Sequence, residues 1–76
     1  MNANRRKRIA DARAALEAVA NEVRMIGDEE REAYENLPDS IKESDRGMAS
    51  DGAADALSGA ADSIDDLMNE LEEAAA

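Results

Sequence analysis

Apolar side chains recur every seven residues along two stretches of this chain. Ile9, Leu16 and Val23 form one row, with Ala12, Val19, Ile26 and Ala33 displaced from it by three. Beyond Pro38 the rhythm returns as Leu57, Ile64 and Leu71, with Ala60, Leu67 and Ala74 displaced by three. Alternating spacings of three and four, sustained over several heptads, let two helices interlock along a shared seam. The pattern predicts an all-α chain, an antiparallel two-helix hairpin of coiled-coil type that occupies residues 1–76 as one domain. Ala20, Ala61 and Met68 fall beside this seam and widen the apolar stripe beyond what one partner helix covers. That surplus predicts a homodimer, two hairpins closing into a four-helix bundle.

Local signals set the boundaries. The first helix is predicted over about 4–36, with Asn4 as N-cap and Pro38 stopping it, because proline disfavours helical geometry in the residue before it. The turn is predicted over about 37–43, with room for one helical turn between Leu37 and Lys42. The second helix is predicted over about 44–75, with Ser44 as the best N-cap and Ser50 or Asp51 as later alternatives. When facing residues sum to 83, Leu16 meets Leu67, Val19 meets Ile64, Val23 meets Ala60 and Ile26 meets Leu57. Near the turn Glu30 would face Ala53 and Ala33 would face Ser50, so that end is expected to be looser or wet.

Charge supports the antiparallel order. Residues 1–26 carry six bases and three acids, whereas residues 47–76 carry eight acids and no base. Bases at a helix N-terminus and acids at a C-terminus both oppose the macrodipole. An antiparallel partner relieves both faults by bringing Arg5–Arg8 beside Glu70, Glu72 and Glu73.

Composition then narrows the chemistry. With no Cys and no His, the chain has no thiolate nucleophile, no Ser-His-Asp triad and no ordinary zinc site. Neither Gly47 nor Gly52 completes a calcium loop of the EF-hand type. A two-helix hairpin offers paired carboxylates no closed pocket for acid–base work. The expectation is a non-enzyme with no catalytic residue, no cofactor and no metal. No run is apolar enough to cross a bilayer, and the basic start lacks the apolar stretch of a signal peptide. A soluble, cytosolic protein with no membrane contact is expected.

The net charge of −10 repels nucleic acid and favours a basic protein or nucleoprotein complex as partner. Asp51, Asp55, Asp62, Asp66, Glu70 and Glu73 are spaced to form one outward stripe opposite the Leu57–Ile64–Leu71 row. Neighbours four residues apart lie about 6 Å apart along the axis, close to the charge spacing of a nucleic-acid strand. The stripe reads as a nucleic-acid mimic or as a solvated face, and the absence of Lys and Arg after Arg46 favours the mimic. Tyr34, the one aromatic residue, caps the end of the core or anchors a partner. Gly52 and Gly59 mark either a groove for a closely approaching helix or an irregular stretch near the turn. Gly27 reads as a kink or a tolerated exposed glycine.

The stretch from Asp28 to Ile41, reading Asp-Glu-Glu-Arg-Glu-Ala-Tyr-Glu-Asn-Leu-Pro-Asp-Ser-Ile, resembles a motif of small acidic helical proteins of phages and prophages. In these, an acidic helix end leads into a Tyr-x-Asn-Leu-Pro turn followed by an acid, a Ser and an apolar residue. Ser44-Asp45-Arg46-Gly47 is similar to the start of their second helix, although the glycines that follow depart from the usual Glu-rich version. Such proteins include inhibitors of bacterial defence, among them anti-CRISPR proteins. The resemblance implies a phage-encoded inhibitor that sets an acidic helical face against a basic nucleic-acid-binding surface. A structural or assembly module that works only by helix pairing is a second expectation, and an antitoxin-like neutraliser of a basic partner a third.

Overall fold

A computed structural model describes all 76 residues. The chain forms α1 (Ala3–Glu35), a single-turn α2 (Asp39–Lys42) and α3 (Asp45–Ala75), so the fold is all-helical with no strand. Asn2, rather than the expected Asn4, caps α1: its Oδ1 accepts the Arg5 N–H at 2.8 Å. Pro38 ends the first helix and begins the next, its carbonyl accepting from the Ile41 and Lys42 N–H groups at 2.8 and 3.0 Å. Ser44 caps α3 as expected, its Oγ accepting from the Gly47 N–H while its hydroxyl donates to the Ile41 carbonyl. One side chain therefore holds the start of α3 to the end of α2.

α1 and α3 lie side by side in a rod 59 Å long and 14 × 12 Å across. Three contacts along it, Arg31–Asp51, Gly27–Leu57 and Arg13–Glu72, have residue numbers summing to 82, 84 and 85. Contacts made by longer side chains spread from 80 at Glu30–Ser50 to 89 at Arg24–Asp65, so the antiparallel register centres near the expected 83.

The seam differs from the expected one in half its positions. Leu16, Val23, Leu57, Ile64 and Leu71 do lie toward the partner helix and are partly buried. The alternate row sits four residues on rather than three: Ala20, Gly27, Ala54, Ala61 and Met68 are buried. Val19, Ile26 and Leu67, placed in the core by the heptad reading, are 50 %, 42 % and 48 % exposed. Ala12, Ala33, Ala60 and Ala74 are exposed as well. Ala20, Ala61 and Met68, expected beside the seam, are buried within it.

The reason is geometric. With no third element, a pair of helices dries only the strip where their backbones nearly touch, and small side chains allow the nearest approach. At Gly27 an added Cβ would lie 3.3 Å from Leu57 Cβ and 3.9 Å from the backbone of Ala54 and Ser58. Gly27 is therefore neither a kink nor an exposed glycine. It is the point of closest approach. The turn end is not loose either, because Gly27, Gly47 and Ala54 pack it closely and Ser50 donates to Glu30 at 2.7 Å.

The other glycines divide by what surrounds them. At Gly47 a Cβ would sit 2.5 Å from Lys42 Cα and nearer still to the Ile41 and Lys42 carbonyls, so only glycine lets α3 start against α2. Gly52 and Gly59 face open space within a regular helix, which removes both the irregular stretch and the close-approach groove expected there. Gly47→Ala is accordingly expected to destabilise the fold by about 1–3 kcal/mol through overpacking. Gly52→Ala and Gly59→Ala are each expected to stabilise it by about 1 kcal/mol through helix propensity. Thermal denaturation followed by circular dichroism checks all three.

Candidate functional surface

The close seam leaves the hairpin with two unlike flanks. Arg24 and Arg31 sit about 70° to one side of the α1 contact line, and Val19 and Ile26 about 70° to the other. On the first flank three arginines of α1 reach acids of α3. Arg31 bonds the Asp51 carboxylate through Nη1 and Asp55 Oδ1 through Nη2 at 2.7 Å. Arg24 bonds Asp65 and lies 3.5 Å from Asp62 Oδ1. Arg13 Nε lies 2.7 Å from Glu72 Oε1, but the angle misses that of a hydrogen bond, so the contact is one of charge alone.

These partners hold the guanidinium groups in their charged form. The hydrogen bond to Asp65 raises Arg24 above the ordinary arginine value, with the charges of Asp65 and Asp62 adding to it against partial desolvation. The bond to Asp51 raises Arg31 in the same way, aided by the charges of Asp51, Asp55 and Glu35. Because the folded-state value is raised, this stabilisation is present below the ordinary arginine range for as long as the partner carboxylates are ionised. It is lost as the pH climbs through the raised value.

The expected acidic stripe is thereby split. Asp51, Asp55 and Asp62 serve the hairpin's own arginines, with Asp51 half-buried at the edge of the seam rather than opposite it. Asp66, Glu70 and Glu73 are exposed and form no ion pair within the chain. Asp65, which the sequence pattern did not single out, is the principal partner of Arg24. Tyr34 is half-buried at the turn, where the Arg31 guanidinium and the Lys42 ammonium lie 5.5 and 5.6 Å from its ring centre.

The basic tip does not meet the acidic C-terminus in the expected way. Lys7 pairs with Asp11 on its own helix at 3.0 Å, whereas Arg5, Arg6 and Arg8 form no ion pair. Of the three acids expected beside them, only Glu72 is engaged, and by Arg13. Arg5 and Arg8 instead line a groove with Ile9, Ala12 and Leu71.

The densest unpaired acid lies instead around the turn. Asp28, Glu29 and Glu32 near the end of α1, Asp39 in α2, and Glu43 and Asp45 at the start of α3 make no ion pair. The run at 28–32 signals part of this cap in the sequence. The acids beyond Pro38 join it only because α2 folds back.

The opposite flank is apolar. Between the exposed Val19, Ile26 and Leu67, two shallow grooves continue it toward the ends. The one at the open end is lined by Ile9, Ala12 and Leu71 with Met1, Arg5 and Arg8. The one near the turn is lined by Ala33, Leu37 and Ala49 with Glu30, Ser50 and Arg46. No charged or polar residue of the chain is buried, and no three carboxylates converge closely enough to hold a metal ion. No helix is long and apolar enough to cross a membrane. The chain matches no protein-family model, no curated protein and no solved structure.

Arg31→Met is expected to lower the urea midpoint of unfolding, with an effect that shrinks as salt rises from about 0.1 to 1 M. Arg5→Met, at an arginine with no intrachain partner, is expected to leave the midpoint in place.

Proposed function

We propose that the chain is a non-enzymatic binding protein that presents an acidic helical surface to a basic nucleic-acid-binding surface. In keeping with the phage proteins it resembles, its action is that of an inhibitor of a host defence complex. One observation carries this reading. Eight of the 19 carboxylates are consumed by intrachain ion pairs, leaving 11 free on the surface against four free arginines. A charge excess of this kind steers the protein toward basic partners and sets strong salt dependence.

Apart from Glu22 in the middle of α1, the free acids fall in two places, at the turn and along Asp66, Glu70 and Glu73. These, rather than Asp51, Asp55 and Asp62, are the groups available to a partner without breaking the hairpin's own bonds. A second reading, a module for helix pairing, is favoured by the exposed apolar flank. The two are compatible in a homodimer, in which two hairpins form a four-helix bundle and the acids remain outside.

The test is capture of host proteins by the purified chain, washed at low and then high salt. A nucleic-acid-binding complex retained at low salt and released at high salt is the expected result. It should be lost with the Asp66→Lys, Glu70→Lys and Glu73→Lys triple variant, which is expected to keep its helical circular dichroism. Capture that survives both the salt and the triple variant would overturn the acidic reading.

A further inference from the structure

We infer that the apolar flank is the seat of a second copy of this chain, laid face to face with the two hairpins pointing in opposite directions. The inference rests on the dimeric reading and deepens it by assigning the face and the orientation.

The face is assigned by what each flank has already spent. The ionic flank is occupied by the bonds of Arg24 and Arg31 to α3. The other flank leaves Val19, Ile26 and Leu67 between 42 % and 50 % exposed, with grooves of Ile9, Ala12 and Leu71 and of Ala33, Leu37 and Ala49 in line with them. The apolar positions run along most of the 59 Å rod, from Ile9 and Leu71 at one end to Leu37 and Ala49 at the other.

Charge assigns the orientation. α1 carries the wrong sign at both ends: Arg5, Arg6 and Arg8 near its N-terminus and Asp28, Glu29 and Glu32 toward its C-terminus, all without intrachain ion pairs. Each end opposes the helix dipole. A two-fold axis lying in the shared face and running along the rod would set basic tip beside basic tip and acidic turn beside acidic turn. An axis across the rod instead lays α1 on α1 of the second copy in antiparallel. The Arg5 and Arg8 that line one groove then approach the acids of the partner's turn, where Glu30 lines the other groove. Arg46 also lines that groove, but six unpaired acids surround the turn, so the ends attract, both dipole faults are answered and the apolar rows meet along the middle.

Sedimentation equilibrium and a spin-label distance test this inference separately. The chain has no cysteine, so Asn4→Cys offers one labelling site near the open end. The expected result is twice the chain mass of 8.1 kDa, with two labels on the order of 50 Å apart. A dimer with labels about 20 Å apart, two helix diameters, would overturn the orientation and leave the dimer standing. Val19→Glu with Leu67→Glu, both at exposed positions, is expected to give a helical monomer. A dimer that survives this pair would overturn the choice of face. A wild-type chain that remains at monomer mass at about 100 times the concentration at which a micromolar dimer would form overturns both readings at once.

Discussion

Everything in this hairpin follows from how closely α1 and α3 approach. Five of the six buried residues are alanine or glycine, with Met68 the sole long one. In a body only two helices thick, large side chains cannot be surrounded, so they lie half-covered at the edges of a strip that small residues hold dry. Gly27 lets the helices nearly touch at Leu57, and Gly47 does the same between α2 and the first turn of α3.

The same close approach sorts the surface. Rotating each helix to bury its small row carries Arg24 and Arg31 to one side, where α3 has acids to receive them, and carries Val19, Ile26 and Leu67 to the other. One packing choice thus produces a flank of satisfied ion pairs and a flank of unsatisfied apolar groups. Individually, exposed ion pairs contribute little to stability. Here they act mainly by fixing register and rotation, since Arg31 can reach Asp51 and Asp55 together in only one setting of the helices.

Charge left over at the ends has a different consequence. Acids gathered at the turn and arginines stranded at the open end make the rod electrically polar along its axis. The proposed basic partner and the proposed second copy in opposite orientation both draw on this polarity. Asp66, Glu70 and Glu73 lie apart from the apolar flank, whereas the acids of the turn are shared between the two proposed contacts.

Much of this was legible in the residues. Helix type, the stop at Pro38, the Ser44 cap and an antiparallel register close to the true one followed from heptad spacing, proline geometry and the asymmetry of charge. The second row of the seam was not legible, because Val19 and Ile26 are more hydrophobic than Ala20 and Gly27, and a heptad pattern rewards hydrophobicity. The sequence by itself determined that two long helices must pair and in which direction, since spacing and charge are properties of each helix alone. Only the tertiary structure decided which face of each helix turns inward, which acids are consumed and which remain for a partner. Those outcomes depend on how near two backbones can come, a distance that no single helix encodes.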